Sequence, residues 1–294
     1  MLQTTFSRTL LLLCIGSSMA CLTFGIWYWR TSPFAVPKIA VHVAQEPIIN
    51  GLSDFLTLDI AFAATAAAFG GALMGFTGFG GTLVMVPLVA LVWGPTQAIA
   101  ISMIVATFAT AQLVPVIARE ADWPDVWPAM VGSLIGVPLG VWMLLSNDPD
   151  ITRRVMGFVI ILVAVIMMRG WFYRGPRNKG ICGAFGSFGG FTGGFFGMGA
   201  PAVTLYYLSG QSSPAVQRAN ILLVLWAQIM IVIAALAFDG RLTLNTLLLS
   251  GALYLPYAGA TWVGARVFRR ASQEFYRRVC LWLLIVMGVT IAAL

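Results

Sequence analysis

A glycine-rich segment occurs twice in this chain, and its duplication limits the folds available to it. Residues 75–81 (GFTGFGG) are repeated at 194–200 (GFFGMGA), an offset of 194 − 75 = 119. Four further pairs keep this offset without a gap: Pro95 and Pro214, Ala100 and Ala219, Gly132 and Gly251, Gly140 and Gly259. A duplicated apolar unit with a glycine-rich break near its start is typical of membrane transporters built from two repeats.

Composition places the chain in a bilayer. Hydrophobic residues make up 60% of the sequence and charged residues 9%, with a mean hydropathy of +0.91, whereas a soluble domain carries about 25% charged residues. The net charge is +7, but most basic residues lie between apolar runs, which indicates membrane topology rather than nucleic-acid binding. The four cysteines form no metal-binding pair, and His42 has no ligand-type neighbours. We therefore expect no metal and no cofactor.

The first 57 residues are predicted to lie outside the duplicated region. An apolar run, residues 10–29, follows Arg8 and is long enough to span a membrane. Small residues at Ser18 and Ala20 would also suit signal peptidase, so an uncleaved anchor is favoured over a cleaved signal, and both remain open. A linker outside the cytoplasm follows. The predicted organisation is then an N-terminal unit, a first repeat and a second repeat: 1–57, 58–175 and 176–294.

Each repeat contains four apolar runs, most of which are apolar on all sides, and none of them alternates with period two. They are therefore helices rather than barrel strands. The runs lie at roughly 58–92, 98–117, 126–145, 152–168, 181–209, 216–237, 241–264 and 279–294. As one straight helix, residues 181–208 would be about 40 Å long, against a hydrocarbon core of about 30 Å. This run also holds eight glycines, so the first run of each repeat is predicted to be broken.

The positive charges favour a re-entrant path for the two broken runs. With the basic linker near 169–179 in the cytoplasm, re-entrant runs place most Lys and Arg inside, whereas full crossings divide them evenly. Each repeat then has one re-entrant segment and three transmembrane helices, and an odd number of crossings inverts the second repeat relative to the first. The prediction is an all-α polytopic membrane protein with two inverted repeats and an extra N-terminal helix.

Two breaks that enter from opposite faces would meet near the middle of the membrane. Thr82 is predicted to cap one half-helix, and Pro201 suits the first turn of the other. Helix N-termini carry partial positive charge and bind anions. The predicted substrate-binding residues are Gly78, Gly80, Gly81, Thr82, Gly197, Gly199, Ala200, Pro201, Arg218, Asn220, Gln97 and Gln228. The alternative is that the glycines, spaced as in Gly186-xxx-Gly190-xxx-Gly194, only pack helices.

Polar residues on one later helix of each repeat add to this picture. Gln217, Asn220 and Gln228 share a helix face, and Gln97 and Thr110 lie on the matching helix of repeat 1. Arg218 either reaches the cytoplasmic interface or binds the anion. Most acidic residues fall in predicted loops, whereas Asp59 starts a membrane run, where a solvated interfacial carboxylate is favoured over a proton relay. No phosphate loop or hydrolase motif occurs. We therefore expect a transport protein and not an enzyme.

The two glycine-rich segments and the short sequences near them resemble those of the sulfite exporter TauE/SafE family, also described as 4-toluene sulfonate uptake permeases. The hallmark of that family is a repeated Gly-x-Gly-Gly-Gly segment, to which residues 78–81 and 197–200 are similar. Residues 218–220 and the pair 122–123 resemble the Arg-Ala and Asp-Trp sequences of members. The third glycine of the hallmark is absent from both copies, and Asp-Trp is absent from the second. The resemblance covers about 58–294.

The resemblance implies a permease of the bacterial inner membrane for sulfite, an organosulfonate or a related small anion, coupled to an ion gradient. We expect a secondary transporter that works by alternating access. A passive anion channel and a membrane scaffold without transport are the alternatives. The expected partners are the anion, the lipid bilayer and a coupling ion, with proton and sodium both open, and no nucleic acid. The substrate, direction of transport and oligomeric state stay open, a homo-oligomer included.

Overall fold

The fold was analysed in a computed structural model that describes residues 58–78, 80–168, 175, 178–210 and 212–268. In these ranges all regular structure is helical. The helices are α1 (Leu58–Thr77), α2 (Gly81–Ala111), α3 (Val114–Glu120), α4 (Trp123–Ser146), α5 (Pro149–Met168), α6 (Lys179–Phe196), α7 (Ala200–Tyr207), α8 (Pro214–Phe238) and α9 (Leu244–Phe268). The predicted N-terminal unit and the last predicted run, 279–294, lie outside the described residues.

Both glycine-rich runs are interrupted, as the sequence predicts. The chain leaves helical geometry between α1 and α2 and again between α6 and α7. Gly78 (φ 79°), Gly80 (φ 96°) and Gly197 (φ 72°) adopt the left-handed conformation, which glycine reaches without the steric cost that other residues incur. The glycines therefore permit sharp breaks between pairs of apolar helices.

The starts of the two half-helices were predicted with mixed success. Pro201 lies in the first turn of α7, as expected from its missing N–H. The prediction that Thr82 caps α2 is wrong, because the N-cap is Gly80, which has no side chain to offer, and Thr82 lies within the first turn. A left-handed Gly80 starts the helix two residues before the threonine.

Three helices are long and apolar enough to cross a membrane in the part of the chain that the structure describes. They are α2, α4 and α8. In α2 the helical path is disturbed at Gly94 (φ 77°, ψ 166°), directly before Pro95. The corresponding place in repeat 2 is the gap between α7 and α8, and α8 begins at Pro214. Thus α2 corresponds to α7 and the first part of α8.

Two helix pairs pack tightly, and each pair joins one helix from either half of the sequence. Helix α1 packs on α9, and α4 packs on α6. Glycines allow the close approach: a methyl group on Gly71 would meet the carbonyl of Tyr257, and one on Gly136 would meet that of Ser187. Under the offset of 119, α1 corresponds to α6 and α4 to α9. Each glycine-rich helix therefore packs on the corresponding partner helix of the other half.

Candidate functional site

A cavity of about 50 Å³ lies between the two glycine breaks. Its walls come from α1, α2, the α6–α7 break, α8 and α9. The lining residues are Met74, Gly80, Gly81, Thr82, Met103, Ala106, Thr110, Gly193, Gly197, Gly199, Ala200, Leu222, Leu225, Trp226, Gln228, Ile229, Val232 and Tyr257. Most of this surface is apolar, and none of these side chains is charged. Any charge on a ligand must therefore be stabilised by dipoles.

Two helix N-termini face this cavity without side-chain caps. Helix α2 begins after Gly80 and α7 after Gly199, and neither N-cap makes a side-chain hydrogen bond. In contrast, the side chains of Asn178 and Ser213 cap α6 and α8. The first backbone N–H groups of a helix have no partner within the helix. At the cavity the N-termini of α2 and α7 contribute the positive ends of two helix dipoles, which favour an anion.

The glycines of α6 form two stripes with different neighbours. Gly186, Gly190 and Gly194 lie against the backbone of α4, where an added methyl group would overlap or crowd it. Gly189 and Gly193 lie instead towards Gln228 and the residues at the start of α7. The packing interpretation therefore holds for the first stripe, while the second stripe borders the cavity.

Gln228 is a deeply buried polar side chain of the cavity wall, with 3% of its surface exposed. Its Nε2 donates to Ser133 Oγ at 3.0 Å and to the carbonyl of Gly186 at 3.4 Å. Its Oε1 has no hydrogen-bond partner among the described residues. A methyl group placed on Gly193 would lie 3.5 Å from this oxygen, and one placed on Gly199 would overlap it. The oxygen thus lies at the second break.

Sequence reasoning missed two aromatic residues in the wall. Trp226 lines the cavity, and its indole Nε1 is buried without a partner within the described ranges. The hydroxyl of Tyr257 lies where a side chain on Gly81 would be. Trp226 belongs to an apolar run, in which a tryptophan does not stand out from the other apolar residues. Tyr257 corresponds to Pro138 in repeat 1. The duplication therefore gave no signal for either residue.

The structure brings seven of the predicted site residues together at the cavity and leaves five outside its lining. Those at the cavity are Gly80, Gly81, Thr82, Gly197, Gly199, Ala200 and Gln228, and the other five are Gly78, Gln97, Pro201, Arg218 and Asn220. Thr110, one of the polar residues noted on the matching helix of repeat 1, also lines the cavity. The glycine breaks and one glutamine thus contribute most of the predicted residues present there.

The residues outside the lining have other surroundings. Arg218 is exposed at the start of α8, and its guanidinium lies against Gly78, 2.7 Å from where a Cβ would be. Asn220 is buried, and its Oδ1 accepts a hydrogen bond of 2.9 Å from the backbone N–H of Asp122. Gln97 keeps a buried Oε1 with no partner among the described atoms. Asn220 therefore holds the start of α4 next to α8.

Comparison with known proteins identifies the family. The sequence model described as "Sulfite exporter TauE/SafE" matches residues 63–291, which is most of the chain. The chain belongs to the TauE/SafE family. No curated protein and no solved structure matches it. As a TauE/SafE protein, the chain is a membrane protein of a transporter family for sulfite and related anions, which agrees with its long apolar helices.

Membership of the TauE/SafE family confirms the resemblance seen in the sequence. The two segments that are similar to the family hallmark, residues 78–81 and 197–200, are the two breaks of the fold. Both breaks contribute residues to the cavity wall. In this TauE/SafE protein the duplicated motif therefore lies at the cavity.

Proposed function

We propose that the protein is a secondary transporter that binds a small oxyanion such as sulfite between its two glycine breaks and moves it across the bacterial inner membrane. The observation that carries this proposal is the meeting of two uncapped helix starts, α2 and α7, at one cavity. Backbone N–H groups at such ends bind anions by hydrogen bonds and by the helix dipole. Lining without charged side chains favours a ligand of low charge that can also be released.

The size of the cavity favours a small anion over an arylsulfonate. One water molecule needs about 10–15 Å³ of cavity volume. A cavity of about 50 Å³ therefore accommodates roughly three to five water-sized groups. Sulfite, a sulfur with its oxygens, is of this size, whereas a toluene ring with a sulfonate group is larger. We therefore place sulfite and the smallest sulfonates first among the candidate substrates.

The packing of the helices supports a two-fold relation and alternating access. The pairs α1–α9 and α4–α6 exchange places under the offset of 119, as expected if the two repeats are inverted copies about an axis in the membrane plane. In such transporters the site lies at the repeat interface, and one half moves against the other around it. We infer that the two breaks are re-entrant and that a proton or sodium gradient drives the cycle.

Flux in proteoliposomes tests this proposal. The purified protein is reconstituted, and uptake of sulfite, sulfate, thiosulfate, small sulfonates and small carboxylates is measured with and without a proton or sodium gradient. We expect gradient-dependent accumulation and counterflow of sulfite. Flux that only dissipates a sulfite gradient, without accumulation or counterflow, would indicate the passive anion channel instead. No flux of any anion from correctly inserted protein would favour the scaffold and refute transport.

A further inference from the structure

The side-chain amide of Gln228 is held in one orientation. Its nitrogen faces Ser133 Oγ at 3.0 Å and the carbonyl of Gly186 at 3.4 Å. A carbonyl oxygen only accepts hydrogen bonds, and the single hydrogen of the Ser133 hydroxyl is shared between two backbone carbonyls, those of Ala129 at 2.8 Å and Gly186 at 3.1 Å. Both neighbours therefore require the donor end of the amide. Turning the amide round would place its oxygen against two other acceptors.

This orientation directs the amide oxygen to the second break. Oε1 of Gln228 lies beside Gly193 and Gly199, both of which line the cavity. The oxygen is buried, and nothing in the described part of the chain donates to it. An unpaired buried acceptor carries a desolvation cost that no hydrogen bond compensates. A ligand that brings a hydrogen to this oxygen would remove that cost.

The other polar side chains of the wall differ from Gln228. The indole N–H of Trp226 only donates, and the hydroxyls of Thr82, Thr110 and Tyr257 can either donate or accept. Among the oxygen and nitrogen atoms of the lining side chains, only Gln228 Oε1 can accept but never donate. The wall therefore presents donors to the oxygens of an anion and one fixed acceptor to a hydrogen.

We propose that Gln228 makes the site selective for oxyanions that carry a hydrogen-bond donor. The donor is either the proton of a singly protonated oxyanion, such as hydrogen sulfite, or an N–H or O–H elsewhere on the anion. A fully deprotonated oxyanion would set an oxygen against Oε1 and leave it unpaired. This inference rests on the proposed transport of a small anion and names the chemical class that is accepted.

A sodium ion could also be bound by an amide oxygen, but the surroundings favour a donor on an anion. The N-termini of α2 and α7 both face this cavity, and helix N-termini carry partial positive charge. A cation there would be repelled by both ends. A neutral N–H or O–H group is compatible with the same field, since the rest of the anion faces the helix ends.

Sulfamate and methanesulfonate form a matched pair for the test. They have the same charge and the same number of non-hydrogen atoms, but only sulfamate carries N–H groups. Each is used to inhibit sulfite counterflow in proteoliposomes. We expect sulfamate to inhibit at roughly 5- to 150-fold lower concentration than methanesulfonate, which corresponds to one buried acceptor being paired or unpaired. In Gln228→Met the acceptor is lost, and the ratio should fall to near one.

A control variant removes a buried, unpartnered oxygen elsewhere. Thr152 on α5 has a buried Oγ1 without a partner among the described residues and does not line the cavity. Thr152→Val should keep the wild-type preference for sulfamate. A second arm measures sulfite counterflow at equal pH on both sides. If the donor can be the proton of the oxyanion itself, sulfite flux in the wild type should rise and fall with the singly protonated fraction of sulfite as the pH is varied. This dependence should be weaker in Gln228→Met.

Equal inhibition by the two anions, or an unchanged ratio in Gln228→Met, overturns the inference. Loss of sodium dependence in Gln228→Met with an unchanged ratio would identify a cation site and overturn it as well. Binding to the purified protein, followed by tryptophan fluorescence and thermal stability, makes the same comparison without transport. A sulfamate preference in binding without any sulfite flux would reject the proposed transport and leave the selectivity of the site in place.

Discussion

Adding a side chain at Gly199 should disable the site by occupying space, without straining the φ and ψ angles of residue 199. Gly199 is the N-cap of α7 with φ −75° and ψ −22°, a conformation that any residue adopts. The effect of a substitution therefore comes from occupied space. An added methyl group would overlap Gln228 Oε1 and lie 2.8 Å from the carbonyl of Gly189. Gly197 is a poorer position for this test, because its φ of +72° adds backbone strain.

The expected cost to folding is small enough for the protein to stay folded, and the expected cost to binding is large enough to measure. Moving Gln228 away from Ser133 removes a hydrogen bond of about 0.5–1.5 kcal/mol, and overpacking adds about 1–3 kcal/mol. Native proteins are typically stable by about 5–15 kcal/mol, so Gly199→Ala should remain folded. We expect Gly199→Ala to cost the bound anion one hydrogen bond from a backbone N–H. Losing such a bond to a charged ligand weakens ligand binding by about 10- to 150-fold.

Sulfite uptake into proteoliposomes measures the effect. Gly199→Ala should reduce the apparent affinity by that factor, and Gly199→Leu, which fills the cavity, should abolish uptake while the protein still inserts. Gly251 on α9 provides the control, because no atom of the described residues lies within 4 Å of a Cβ there. Gly251→Ala and Gly251→Leu should retain uptake. Normal uptake by Gly199→Leu would show that the glycines of the break serve packing only.

Three further predictions concern packing and the edge of the site. Gly71→Ala should lower the thermal unfolding temperature in detergent, because its methyl group would overlap a carbonyl of α9, at a cost of about 1–3 kcal/mol; an unchanged temperature would contradict the observed packing. Asn220→Ala should destabilise the protein by about 1–3 kcal/mol in the same assay, since the N–H of Asp122 loses its acceptor, and Asn220→Asp should restore most of this. Arg218→Lys should reduce sulfite flux if the planar guanidinium supports the first break at Gly78, and wild-type flux would indicate that Arg218 only reaches the interface.

The duplicated glycines allowed both breaks to be predicted from the sequence, because only glycine adopts left-handed geometry freely. Spacing also predicted Gln228 as a polar residue of the site, and Gln228 lines the cavity. The sequence could not show which stripe of α6 would face the cavity, since glycines at both faces look alike in a helical pattern. It also missed Tyr257, which approaches Gly81 from α9, far away in sequence. Such a contact depends on how the halves pack and not on any local pattern.

The predicted use of Arg218, Asn220 and Gln97 illustrates a second limit. All three are polar residues in apolar helices, for which a ligand is a reasonable expectation. Asn220, however, has its Oδ1 occupied by a backbone N–H of Asp122. A buried polar side chain needs a partner, but the sequence does not say whether the partner is the protein or a solute.

The packing of α1 on α9 has a consequence for biosynthesis. Gly71 meets the backbone of Tyr257, so α1 leaves the ribosome long before its packing partner exists. About 190 residues separate Gly71 from Tyr257. At roughly 5–20 residues per second, their translation takes on the order of 10–40 s. During this interval the nascent first half holds an uncovered glycine face in the lipid. A chaperone or the insertion machinery that shields this face would therefore act on the early half of the chain, before the late half closes over it.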